Sequence, residues 1–544
     1  MKRLVLATAL LSTIGLQAQV LNVNNKNGTY LPLDTKNTKE ITFNESNKIV
    51  TLTTSDGAQH CFYTEKVESL SPKTDKSKKL TYNLTPTVAF DNNDKANFTE
   101  KTETIPADES DDNYSDFVEN WESTKESKIV FSENSVTVDG VKNETPHLII
   151  ESTSSKVTYI VSGKCSNGSL KIYSEKKFQL VLTGLELTNP NGPAINIQTG
   201  KTVYFTIADN TTNNLCDGET YNAPVIGEDG EEEDQKGTLF SEGQLIFDGS
   251  GTLNVTSLGG HGICSDDYIR IRSGNINILS AAKDGFRTKD KFIVSRTQTA
   301  SPRITVNATN DGIECSEGEV IIDAGIIELT TGGEAIKVEY EEADPDPKVT
   351  PNATINGGYI KFVTTGEKSS GVKTTGKFTL NGGVIHGTVN GNGSKILNCD
   401  NDIAISKGKL TGFAEGTVQN NETSAGGIKC EGDISINGGT ISIVCTREGA
   451  KGVNCDKTIS INGGEVTVLT DVQDFNDKYT SVAIETNNLV ITNGNAALSS
   501  NNRAVDATKV TLFDGTLQAV SNKNLAIDAE ISQTGGWLIK KDAK

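Results

Sequence analysis

The chain has 544 residues, 51 Lys and Arg against 71 Asp and Glu, and a formal net charge of -20. Such an acidic chain repels phosphate backbones, which argues against nucleic acid as a partner. With 52 Gly, 12 Pro, one Met and almost no Ala/Leu/Glu/Lys runs at helical spacing, the composition excludes a helical protein and leaves short β-branched segments between Asn-Gly and Gly-Gly turns.

Lys2 and Arg3 precede an apolar stretch, Leu4 to Leu16, that ends in a small residue. This pattern predicts a signal peptide over 1–18 with cleavage after Ala18, and hence an exported protein that is periplasmic, surface-bound or released. No later segment is apolar for long enough to span a bilayer, so no membrane insertion of the mature chain is expected. Residues 19–72 read as a small β-rich region, with alternating segments such as Glu40–Phe43 and Ile49–Leu52. Residues 73–126, polar and charged, with an acidic run at Asp108–Asp112, read as a linker. The acidic run Gly227–Asp234 reads as a solvated loop.

From 127 to about 540 two short patterns alternate. The first is a small residue before Ile, Val or Phe. It occurs as Pro193-Ala194-Ile195, His261-Gly262-Ile263, Asp284-Gly285-Phe286, Asp311-Gly312-Ile313 and Glu334-Ala335-Ile336. It continues as Ser370-Gly371-Val372, Gly426-Gly427-Ile428, Lys451-Gly452-Val453, Ser481-Val482-Ala483, Arg503-Ala504-Val505 and Leu525-Ala526-Ile527. The second is a turn ending in Gly, as at Asn437-Gly438-Gly439 and Asn462-Gly463-Gly464. The spacing is too short for a four-stranded propeller blade and lacks the Leu positions of a leucine-rich repeat. It fits an all-β fold of parallel β-helix type, whose successive rungs stack about 4.8 Å apart; a β-sandwich is the alternative. The residues two beyond each Ile/Val/Phe (Ser265, Thr288, Cys315, Val338, Thr374, Cys430 and Cys455) form a second inward column. The nine cysteines have no paired spacing and are expected to be mostly buried small hydrophobes.

Aligning the rungs between 261 and 339 stacks acidic residues. The leading column holds His261, Asp284, Asp311 and Glu334, with Glu314 three residues further on. Asp266 lies five on, and Asp267, Asp290 and Glu317 stand at the following turn. Stacked carboxylates repel unless neutralised, and Ca²⁺, which takes six to eight oxygen ligands, does this well. Asp266, Asp267, Asp284, Asp290, Asp311, Glu314, Glu317 and Glu334 are therefore the candidate metal ligands. His261 is expected to serve the turn. Asp-Gly is also a common turn dipeptide, so one such step alone would carry no weight.

The stretches GSLKIYSEKKFQLVLTGLELTNPNGPAINIQ (168–198), IADNTTNNLCDGETYN (207–222), HGICSDDYIRI (261–271), AAKDGFRTKD (281–290) and ATNDGIEC (308–315) resemble bacterial secreted carbohydrate-binding proteins over roughly 128–480. The resemblance implies a right-handed parallel β-helix similar to that of pectate lyases, bound calcium, and binding of cellulose or polygalacturonate-like chains. By that resemblance Asp284, Asp311, Asp266, Asp267 and Asp290 match acidic positions; Glu334, in a Glu-Ala step, and Arg287 depart from it. The expected function is non-catalytic, calcium-dependent polysaccharide binding. One alternative is a pectate-type lyase acting by β-elimination, with Lys289 or Lys337 as base and Arg287 as helper. A second is an adhesin-like surface protein that uses calcium for rigidity alone.

Overall fold

The computed structural model describes residues 20–110, 114–227, 230–340, 349–418, 425–470 and 479–543. The expected signal peptide, two residues of the 227–234 run and two of the 108–112 run lie outside these. The described chain is all-β, with four short 3-10 turns and no α-helix. No helix among the described residues is long and apolar enough to cross a membrane.

The chain divides into two units. One comprises residues 90–401. From Ile195–Gln198 to Lys395–Cys399 its strands follow a simple rule: each pairs in parallel with the third strand after it, so three parallel ladders grow side by side. The predicted columns are in register. Ile195, Leu239, Ile263, Phe286, Ile313, Ile336 and Val372 succeed one another in one ladder, and all are buried. Ser265, Thr288, Cys315, Val338 and Thr374 form the next inward column. Alternation along each strand sends these residues to the interior because β side chains have a period of two.

The second unit comprises the described residues of 1–89 and 402–544. Its C-terminal strands also pair in parallel with one another, with Ile428, Val453, Ile484, Val505 and Ile527 in register. Here the sequence alignment at 481–483 is one residue out: Ile484, not Ala483, pairs with Val453 and occupies the column. The corners stack through Gly439, Gly464, Gly494 and Gly515, all at positive φ, where a Cβ would also be strained. The N-terminal strands are antiparallel: Val20–Asn25 lies between Thr29–Asp34 and Val67–Ser71, and Thr38–Asn44, Ile49–Thr54 and Gln59–Tyr63 form a meander. Gln59–Tyr63 pairs with the last strand, Trp537–Lys541, and Val23, Leu31, Leu52, Phe62 and Trp537 close a common core.

The 73–126 stretch, polar enough to suggest a linker, behaves differently from residue 90 onward. The described residues of 90–121 lie against the parallel strands of their unit as a strap. Asp94 meets His386 at 2.8 Å, Glu100 meets Arg296, Asp116 meets Arg270 at 2.9 Å, and Glu103 and Glu119 both engage Arg272. Phe117 is buried beneath the guanidinium groups of Arg270 and Arg272, 4.8 and 4.7 Å from its ring. Asp94, Glu100, Glu103, Asp116 and Glu119 are thus paired across a sheet face, whereas Asp108 and Glu109 of the acidic run stay exposed.

Of the nine cysteines eight are buried and Cys216 is half-buried, as small apolar side chains in a strand interior should be.

Candidate functional site

Four consecutive strands, His261–Ser265, Phe286–Thr288, Ile313–Cys315 and Ile336–Val338, place the acidic column at one edge of a ladder. The residues just before them are held by backbone bonds from Gly262 N–H to Asp284 O (2.9 Å), Gly285 N–H to Asp311 O (2.8 Å) and Gly312 N–H to Glu334 O (2.9 Å). Asp284, Asp311 and Glu334 thus follow one another at the ladder spacing.

The structure divides the eight predicted ligands into three groups. Asp284, Asp311 and Glu314 come together: each offers an oxygen, and the three oxygens lie within 4.8 Å of one another. All three side chains are at most 2% exposed. Asp284 stands 2.9 Å from His261 Nδ1 and accepts from Asn310 Nδ2 (2.6 Å) and Asp311 N–H (3.0 Å). Asp311 accepts from Glu334 N–H at 2.7 Å. Glu314 pairs with Arg287 and Lys337, each at 2.8 Å. Glu334 sits half-buried at the edge of this group.

Asp266 belongs to a second, half-buried group with Asp234 and Glu242, and Lys236 bridges Asp234 (2.8 Å) and Asp266 (2.6 Å). Asp267, Asp290 and Glu317 form a third column at the corner: Asp290 N–H donates to Asp267 O at 2.9 Å, Gln244 caps the Asp267 carboxylate, and Lys289 pairs with Glu317 at 3.0 Å. Glu242 escaped the sequence reading, in which Asp234 reads only as the end of a solvated acidic loop. Extending the alignment one strand upstream, through the Ser241–Ser265 pairing, sets Glu242 beneath Asp266. Asp234 arrives on a loop and leaves no periodic signal.

Electrostatics single out the first group. Burial, and then the charges of Glu334, Asp284 and Glu314, push Asp311 up to about 8. Burial and Asp284 push Glu314 up to about 7. Asp284 is also raised by burial, but its bonds from His261 and Glu314 outweigh that and hold it below the usual carboxylate range. One carboxylate stays charged while its neighbours retain protons, the ordinary outcome when like charges share a buried site.

The donor set fits a hard divalent cation. Two oxygens bound to one Ca²⁺ at about 2.3–2.6 Å lie no more than about 5 Å apart, and the three oxygens here meet that limit. All are carboxylate oxygens, which favours Ca²⁺ or Mg²⁺ over softer metals. The lyase candidates are placed less favourably for proton abstraction. Arg287 and Lys337 pair with Glu314, and Lys289 with Glu317, so each cation lies against a carboxylate.

An all-β protein of parallel ladders, carrying stacked carboxylates at one ladder edge, is the class that these observations define. The family model for carbohydrate-binding domain-containing proteins matches residues 148–474, more than half of the chain, and the chain belongs to that family. A carbohydrate-binding domain-containing protein of Acetivibrio thermocellus is 29% identical over 157 residues, covering 28% of this chain and 52% of the relative; the chain thus spans about half the length of that relative. A solved structure of the polysaccharide lyase-like protein from C. thermocellum, a gadolinium derivative, aligns over 52% of this chain and 96% of its own, at 24% identity and a TM-score of 0.36.

Proposed function

We propose that this is an exported, non-catalytic protein that binds acidic, polygalacturonate-like or cellulosic polysaccharide in a calcium-dependent manner, on a right-handed parallel β-helix. Membership of a carbohydrate-binding family supports a glycan partner. The observation that carries the calcium dependence is the buried meeting of Asp284, Asp311 and Glu314 within 4.8 Å. These three carboxylates would hold the ion, with backbone carbonyls or water completing its shell. When bound, Ca²⁺ supplies positive charge where the chain has concentrated negative charge.

The chain's own residues do the rest. Asn310 and the Asp311 and Glu334 amides fix the carboxylates in place. Arg287 and Lys337, in register around Glu314, and Lys373 beyond them present a ladder of cations along the strand face. Strands lie about 4.8 Å apart, so Arg287 and Lys337 stand two spacings apart with Glu314 between them, and Lys373 follows one spacing on, an arrangement that suits an extended polyanion lying along it. Burial of the carboxylates also favours a second reading, in which the ion only stiffens the fold and the protein is a surface spacer.

Retention on insoluble polygalacturonate and cellulose, with and without chelator, separates these readings when absorbance of unsaturated product is followed in the same tubes. Chelator-sensitive retention with flat absorbance supports binding. Rising absorbance moves the assignment to a lyase, and no retention on either glycan leaves the ion structural.

A further inference from the structure

The N-terminal strands build a cleft of about 370 Å³, within the range of small-ligand sites, in a part of the chain that the family match does not reach. Its floor is apolar, from Leu33 and Leu52. His60 lines it, only 1% exposed, and His60 Nδ1 has no hydrogen-bond partner. Burial pulls the imidazole down to about 4, so the ring is neutral at neutral pH, with one nitrogen able to donate and the other to accept. A buried polar atom left unpaired is costly.

Beside His60, at 4.9 Å between ring centroids and edge-on, stands Tyr82, whose ring is 40% exposed at the mouth of the cleft. Two carboxylates face the same space and are already fixed. Asp34 accepts from Lys36 N–H and from Asn37 Nδ2, each at 3.0 Å. Asp56 accepts from Thr54 Oγ1 and pairs with Lys541 at 3.0 Å. Asp56 Oδ1 also accepts from Ala58 N–H at 3.4 Å, but the Asp34 oxygens and Asp56 Oδ2 each keep a second lone pair for a ligand donor, and because their positions are set in advance, little ordering is needed on binding.

We propose that this cleft binds one neutral pyranose unit. The sugar's C–H face lies on Tyr82, and its hydroxyls donate to Asp34 and Asp56 beside the His60 ring. Two carboxylates in the wall repel a uronate, so the cleft selects neutral sugars. The inference is independent of the calcium reading.

The test is saturation-transfer NMR on the full chain with the methyl glycosides of glucose, galactose, mannose and xylose, and with galacturonate, in chelator. At least one neutral glycoside receives transfer and galacturonate does not. Tyr82→Ala, at an exposed position, weakens that glycoside tenfold or more, and Asp34→Asn weakens it while the melting temperature stays put. The proposal is overturned if no neutral glycoside receives transfer, if transfer survives Tyr82→Ala unchanged, or if galacturonate receives as much.

Discussion

Asp311→Asn should act in opposite directions with and without calcium. In chelator, the wild-type cluster holds carboxylate oxygens within 4.8 Å. Ionising a second carboxylate at that distance costs about 3.5 kcal/mol at an effective dielectric of 20, which is why Asp311 retains its proton up to about 8. His261, Arg287 and Lys337 offset part of this, which leaves a net strain of about 2 kcal/mol. Asparagine keeps an acceptor for the Glu334 N–H, which is 2.7 Å from Asp311, but carries no charge. The variant is therefore expected to be more stable than wild type in chelator, by about 2 kcal/mol. The pH dependence has a definite sign. Asp311 is raised from 3.8 to about 8, so the folded state holds a proton that the unfolded state has lost. The wild type thus loses stability as pH rises from about 4 through 8, and the advantage of the variant grows over that window. In excess Ca²⁺ the order reverses: at a hundred times Kd the wild type gains about 2.7 kcal/mol, and the variant, short of one ligand, gains far less. Urea-unfolding midpoints at several pH values, in chelator and in Ca²⁺, measure all of this. A variant less stable than wild type in chelator, or equal calcium responses in the two proteins, would refute the reasoning.

Other consequences follow from the same structure. His60 refuses a proton until about pH 4, although its ordinary value is 6.5; the folded protein therefore loses stability as pH falls from 6.5 to 4, and His60→Gln should flatten that slope by about 3 kcal/mol in acid-unfolding curves. Glu103→Ala leaves the fully buried Arg272 with Glu119 alone, and should cost about 3 kcal/mol and raise protease cutting within 90–121. Gly318→Ala would set a Cβ 1.5 Å from the Asp290 carbonyl oxygen; a lowered melting temperature, by the equivalent of about 3 kcal/mol, is expected, and an unchanged one would mean that the corner is looser than described.

The inward columns were legible because alternation and the Gly-Ile/Phe step mark them at every turn: Ile263, Phe286, Ile313 and Ile336 could be aligned by eye. The pairing of Asp284 with Asp311 was legible for the same reason. The partition of the acidic residues was not. A column alignment does not say which side of a corner a carboxylate takes, so Asp267, Asp290 and Glu317 separated from Glu314 only in three dimensions. The strap was hidden for a different reason. Asp116 and Glu119 find Arg270 and Arg272 far along the chain, and composition reads paired and solvated charges alike. The cleft around His60 was equally silent, since a lone histidine in a strand is ordinary.

The most direct test of the central claim is affinity electrophoresis of the full chain through gels containing polygalacturonate, run in Ca²⁺ and in chelator, beside the Asp284→Asn, Asp311→Asn double variant. The account predicts that the polysaccharide retards the wild type in Ca²⁺, and retards neither the wild type in chelator nor the variant in either buffer. Equal mobility of wild type and variant in Ca²⁺ would contradict it.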